Sequence, residues 1–247
     1  AIRRNGWAAF PLESWVAFGE RHGHGAATRR LRRVLSEQVA GRLFTTTTPQ
    51  EPDGSQGPAR RQLVAVPSAP ADFPLVSLAR AAKAISIDGR DHATEVEIHR
   101  LRDPESKLEG EITVWRSAEL DLPHRVLSTG GFDLGLPPDV VRAKVVLRTP
   151  DTQWISRLRV DALADSRAVG TRDVPCIRET GTLRVTRRGE TAKQRFRRWL
   201  SPRVPGHVVR LETSVGDDAS LARGSVWSVL DFDTGPPPDV SGRRILE

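Results

Sequence analysis

The chain has 247 residues, 38% of them hydrophobic and 28% charged, proportions that are ordinary for a folded globular protein. Its single cysteine, Cys176, excludes a disulfide framework and a thiolate metal cluster. No apolar run approaches the ~18–20 residues of a membrane-spanning helix, and the first residues include no apolar segment of the kind found in secretory signals. We therefore expect a chain that is neither membrane-bound nor secreted.

The net charge of +7 is concentrated in one part of the chain. Residues 178–210 contain ten Lys or Arg and two Glu, a net charge of +8, so the rest of the chain sums to −1. A codon bias would act on the whole gene and could not produce this unevenness. The concentration therefore predicts a local role for these cations.

Residues 1–44 are predicted to form an N-terminal helical arm. Its main helix is indicated by apolar residues at helical spacing, namely Leu31, Val34, Leu35, Val39 and Leu43. The first turn of that helix, where the helix dipole disfavours cations, holds Arg29, Arg30, Arg32 and Arg33. This conflict indicates an anionic partner for these four arginines.

Residues 45–60, rich in Thr, Pro, Gly and Gln, are predicted to be a linker or exposed loop. From residue 61 to residue 247 the apolar pattern changes to a period of two, which is typical of strands. The best example is Val140–Arg148, where Val141, Ala143 and Val145 alternate with polar residues. The predicted strands of this β-rich domain are Gln62–Val66, Glu95–Leu101, Gly110–Arg116, Val140–Arg148, Trp154–Val160, Thr182–Arg187, His207–Thr213 and Ser225–Phe232.

One amphipathic helix is predicted within this domain. Thr191 and Gln194 have the spacing of a capping box, and Pro202 would end the helix. Its apolar face would be formed by Ala192, Phe196, Trp199 and Leu200. The predicted fold is therefore mainly β, as an antiparallel sandwich or jelly roll with a helical arm and one inserted helix. An α+β fold is the alternative.

The sequence contains no recognisable catalytic or cofactor motif. No nucleotide-binding loop stands in the required strand–helix context, and no nucleophile elbow occurs. Cys176 has no neighbouring base and indicates a buried structural thiol. We expect a non-enzymatic protein without cofactor or metal, the alternative being an enzyme whose site assembles only in three dimensions.

The basic region 178–210 is the main candidate for function. Clustered cations could neutralise the phosphates of RNA or DNA. They could equally pair with acidic groups of another subunit across an interface, or form a solvated face. The candidate residues are Arg184, Arg187, Arg188, Lys193, Arg195, Arg197, Arg198 and Arg203.

Three segments resemble parts of viral coat proteins. Residues 224–233 (GSVWSVLDFD) look like the closing strand of jelly-roll coat proteins, and residues 71–79 (ADFPLVSLA) are similar to the segment that leads into their early strands. Residues 110–114 (GEITV) resemble a middle strand of that fold. The resemblance implies a structural protein of a capsid or its surface, located in a virion or inside the cell, whose partners are copies of itself or other subunits. The alternative is a nucleic-acid-binding subunit of a ribonucleoprotein complex.

Overall fold

The structure is a computed structural model. It describes residues 6–23, 29–40, 42–51, 53, 55–64, 67–80, 84–103, 105, 107–216 and 224–234. Within these ranges almost all regular structure is strand, apart from one short 3₁₀ helix at Pro70–Asp72. No helix in the described ranges is long and apolar enough to cross a membrane.

The structure contains strands over most of the described chain. Those in its first half are β1 (Trp15–His22), β2 (Arg29–Val39), β3 (Arg42–Gln50), β4 (Arg60–Leu63), β5 (Leu75–Arg80), β6 (Ile85–Ile87), β7 (Arg90–His92), β8 (Glu95–Asp103) and β9 (Leu108–Arg116). Those in its second half are β10 (Arg125–Thr129), β11 (Phe132–Leu136), β12 (Val140–Arg148), β13 (Thr152–Val169), β14 (Arg172–Arg187), β15 (Glu190–Leu200), β16 (Val208–Val215) and β17 (Gly224–Asp233).

Thirteen of these strands form one antiparallel sheet. Its order is β4-β3-β2-β1-β17-β16-β15-β14-β13-β12-β9-β8-β5, so neighbouring strands are almost always consecutive in the chain or separated only by a small hairpin. The first and last strands, β1 and β17, also pair with each other. A jelly roll requires Greek-key crossings between two sheets, which this meander lacks among the described residues. The predicted sandwich or jelly roll is therefore wrong.

The strand predictions from Glu95 onward each overlap an observed strand, and Val140–Arg148 has the bounds predicted for it. Gln62–Val66 overlaps β4 at two residues, and positions 65 and 66 lie outside the described part of the chain. Residues 45–50 of the predicted linker belong to β3, where they pair with β2. A tendency of buried and more exposed residues to alternate, clearest from Val141 to Arg148, explains why these later strands are recognisable in the sequence.

The predicted N-terminal helical arm is wrong, because its described residues form strands β1, β2 and β3 instead. Leu31 and Leu35 are buried on one side of β2. A spacing of four places two residues on the same face of a strand as well as on the same face of a helix. Pairing with β1 and β3 decides between the two.

The predicted amphipathic helix is also wrong, since β15 occupies residues 190–200. Its apolar residues Ala192, Phe196 and Leu200 are again four apart, which fits either structure. The local signal for a strand is the two-residue turn that joins it to β14. Arg188 and Gly189 both have positive φ, 50° and 87°, as a type I′ hairpin turn requires.

Two small hairpins cover parts of the sheet. Leu127, Leu134 and Leu136 of hairpin β10–β11 pack with Ala143 and Val145 of β12 in one core cluster. Hairpin β6–β7 lies by the opposite face, where residues 84–86 border the same depression as Arg142. On that face Arg142, Arg157, Arg159 and Arg184 are exposed to solvent.

Candidate functional site

The open face of strands β12–β15 is lined with cations. Side chains directly opposite each other in antiparallel strands share a face, and this register creates rows across the sheet. In one row Arg142 lies opposite Arg159 and Thr180 lies opposite Arg197. We name this surface the basic face, and its cations are Arg142, Lys144, Arg157, Arg159, Arg184, Lys193, Arg195 and Arg197.

A groove runs along the basic face. It has a volume of about 630 Å³, and its walls include Arg142, Arg157 and Arg195. The hydroxyls of Thr180 and Thr182 lie between these cations. A second depression of about 800 Å³ continues from it towards hairpin β6–β7 and shares four of its residues. The two together form an extended channel with donors along its length.

Several cations of the basic face stand directly opposite one another. Arg142 faces Arg159, and Lys144 faces Arg157, across the β12–β13 pair. Like charges in such positions destabilise a sheet by up to roughly 1 kcal/mol per pair. An anionic ligand held between them would relieve that repulsion.

Few acids neutralise this surface. Arg159 pairs with Asp161 at 2.8 Å, and Arg197 lies 3.9 Å from Glu212. Among the described residues no carboxylate forms an ion pair with three other arginines of the groove, namely Arg142, Arg157 and Arg195. Arg142 instead rests over the ring of Trp115, 4.7 Å from its centroid.

The structure divides the predicted basic region between several places. Arg184, Lys193, Arg195 and Arg197 lie together on the basic face. Arg198 lies on the other face because successive side chains of a strand alternate. There its Nη1 donates to the carbonyl of Val126 at 2.7 Å, and its Nε donates to Glu179.

The remaining candidates lie away from the basic face. Arg187 and Arg188 are exposed at the tip of the β14–β15 hairpin, and Arg203 is exposed in the loop before β16. Arg29 and Arg30 are exposed on β2. The other two arginines of β2 have neighbours within the protein: Arg32 lies over the Trp15 ring at 4.6 Å, and Nε of Arg33 donates to Thr47 at 3.1 Å.

Sequence reasoning missed half of the basic face. Arg142, Lys144, Arg157 and Arg159 come before the basic region, so a count along the chain did not include them. The available signal was alternation, since Arg157 and Arg159 flank the buried Leu158 in a predicted strand. Only the pairing register of strands β12–β15 places these residues on the same face as Arg195 and Arg197.

In the described ranges, the single cysteine and the potential metal ligands do not form a second site. Cys176 is buried, as predicted, and burial is the main cause that raises the pKa of its thiol to about 11. The His, Cys, Asp and Glu side chains of the described ranges form no group of three or more that could hold a metal ion. The basic face is therefore the site with the clearest chemistry, which is anion binding.

No known protein family matches this chain, and no curated protein matches it. Two solved structures are similar in outline. One, from Bacteroides fragilis, is called a "putative exported protein with YmcC-like fold"; it has 9% identity and a TM-score of 0.42, with 91% of this chain and 97% of that chain covered. The other, a "putative lipoprotein" from Parabacteroides distasonis, has 10% identity and a TM-score of 0.43, with 91% and 98% covered.

The predicted viral capsid role is wrong. The segments that resemble coat proteins are β5, part of β9 and β17, three strands of a continuous meander. The resemblance implied a jelly roll, and the described strands do not form one. The assignment to a virion depended on that resemblance and is wrong with it. The ribonucleoprotein alternative depended on one continuous basic region, which the structure divides between several places.

Proposed function

We propose that this protein binds a linear polyanion, which lies along the groove of the basic face. The observation that carries the proposal is the set of three groove arginines, Arg142, Arg157 and Arg195, that lack an ion pair among the described residues. Charge-assisted hydrogen bonds to guanidinium groups are among the stronger polar contacts. Rows of cations from successive strands would contact successive anionic groups of such a chain.

The groove favours recognition by charge over recognition of bases. Proteins that bind single-stranded nucleic acid combine a basic groove with exposed aromatic rings on which bases stack. Here the ring of Phe196 packs against the core cluster of hairpin β10–β11, and that of Trp115 is covered by Arg142. The expected ligand is therefore a polymer recognised through phosphate, sulfate or carboxylate groups.

The test is calorimetric titration with linear inorganic polyphosphate at increasing salt. The double variant Arg157→Gln/Arg195→Gln should lose about tenfold or more in affinity, because two charge-assisted contacts disappear. Its affinity should also depend less on salt, since fewer counterions are released. The matched control is Arg187→Gln/Arg203→Gln, which removes the same charge from the same region but away from the basic face.

The control variant should bind polyphosphate within about twofold of the unmodified protein. Equal losses in the two double variants would mean that binding follows net charge alone and would refute the groove. A single-stranded RNA bound far more tightly than polyphosphate would refute recognition by charge. Absence of polyphosphate binding at low salt would refute the proposal as a whole.

A further inference from the structure

A second, smaller pocket lies on the face of the sheet opposite the basic face. Its walls come from cross-strand neighbours, since Phe18 lies opposite Leu31 and Leu211 lies opposite Trp227. The loop before β16 and Trp7 close one side. The volume of the pocket is about 250 Å³, slightly below the ~300–1,000 Å³ of sites for drug-sized ligands.

One cation stands in this apolar pocket. Arg33 lines it, and its Nε donates to the hydroxyl of Thr47 at 3.1 Å. No carboxylate in the described part of the chain forms an ion pair with Arg33, and its two Nη groups have no partner there. Burial lowers the pKa of Arg33, and no acidic neighbour opposes this effect.

An unpaired guanidinium against aromatic walls has a defined chemical complement. Burying a cation without a counter-ion is unfavourable, so a ligand that brought a carboxylate to the Nη groups would gain a charge-assisted hydrogen bond. The rings of Phe18 and Trp227 would contact the apolar body of the same ligand. We propose that this pocket binds a small amphipathic carboxylate with a short acyl chain.

The proposal concerns a different face and different residues from the basic face, so the two can fail separately. The probes are octanoate and octanol, which share a hydrocarbon body but differ in charge. Calorimetric titration of the unmodified protein should show octanoate binding about tenfold or more tightly than octanol, because only octanoate pairs with Arg33. Equal affinity for the two, or no binding of octanoate, would overturn the proposal.

Substitution of the cation locates the site. Arg33→Gln should remove the preference for octanoate and leave octanol affinity unchanged within about twofold. The matched control, Arg30→Gln, changes an exposed arginine that points to the other side of β2 and should keep the full preference. An unchanged preference in Arg33→Gln, or the same loss in both variants, would refute Arg33 as the carboxylate partner.

If Arg33→Gln does not fold, quenching of tryptophan fluorescence by bromooctanoate in the unmodified protein decides the question. Because Trp7 and Trp227 both line the pocket, the quenching should be lost in the double variant Trp7→Phe/Trp227→Phe and persist in Trp154→Phe, and the reverse would overturn the proposal.

Discussion

Arginine residues of this protein differ in role because their surroundings differ. Arg125 is buried and donates to Glu179 and to two backbone carbonyls. Arg32 stacks on an aromatic ring, while Arg157 is exposed and has no ion pair within the described ranges. The planar guanidinium allows all three arrangements. A count of arginines along the sequence therefore does not identify those available to a ligand.

His207 provides a prediction at the residue scale. It is buried, its Nδ1 lies 3.3 Å from the carbonyl of His124, and it has a positive φ of 66°. Burial lowers the pKa of His207, an effect that the hydrogen bond to His124 opposes. In the unfolded chain the pKa is about 6.5, so between the two values the unfolded state binds more protons. The free energy of unfolding should therefore fall as pH decreases from about 7 towards 5.

The measurement is urea unfolding at several pH values for the unmodified protein and His207→Asn. Asparagine tolerates positive φ and can donate to the same carbonyl, but it does not titrate. The variant should lose the decrease between about pH 7 and 5. It should keep a separate decrease below about pH 4.5, where acids such as Glu97 become protonated. Burial would raise the pKa of Glu97, but hydrogen bonds from Arg116 and His99 outweigh it and lower that pKa. If the free energies of unfolding of the two proteins differ by the same amount at every pH, the prediction is contradicted.

At the scale of elements, hairpin β10–β11 is held to the sheet by a buried ionic cluster. The Glu179 carboxylate, on β14, is fully buried and accepts from Arg125 of β10 at 3.5 Å and from Arg198 of β15. Arg198 also donates to Val126 within the hairpin. Burial is the main cause that lowers the pKa of Arg125, and the charge of Glu179 opposes it. Glu179 thus compensates the fully buried Arg125 and the partly buried Arg198 at once.

We expect Glu179→Gln to lower the free energy of unfolding by about 3–5 kcal/mol, because it leaves the fully buried Arg125 without a counter-ion. Denaturant unfolding measures the change. The control is Glu37→Gln, which removes the acid of an exposed pair with Arg61 at 2.6 Å and should lower stability by no more than about 1 kcal/mol. Similar values for the two variants would show that the buried cluster contributes no more than a surface pair.

At the scale of the molecule, the open sheet leaves β5 at one end with only β8 beside it. Leu75, Val76 and Leu78 of β5 are each more than half exposed. A long apolar edge strand with unpaired backbone groups is prone to pair with the same edge of another chain. The sequence predicts copies of the same chain as one kind of partner. We expect such self-association to occur through this edge.

We predict that the apparent mass of the protein in light scattering rises with concentration, and that Leu78→Lys reduces the rise. A charge on an edge strand opposes edge-to-edge pairing. Leu12→Lys is the control, because Leu12 is also exposed, at 48%, but lies before β1 and outside the sheet. A constant monomer mass in the unmodified protein, or an equal effect of the two substitutions, would contradict pairing through β5.

What the sequence determined by itself is the set of elements with a local pattern. From Val141 to Arg148 buried residues alternate with more exposed ones, and such alternation is a property of neighbouring residues. The charge surplus of residues 178–210 is equally a local fact. In β2 and β15 the apolar residues are four apart, a spacing that fits a helix and a strand equally well. Pairing with neighbouring strands therefore decided the secondary structure of these two segments.

The tertiary structure alone decided which cations act together. Arg157 and Arg195 line one groove because β14 lies between their strands in register, whereas Arg198 points into the interior. Glu179 meets Arg125, 54 residues away in the chain. Contacts of this kind depend on strand order and on burial. Neither can be predicted from the sequence neighbours of the residues in contact.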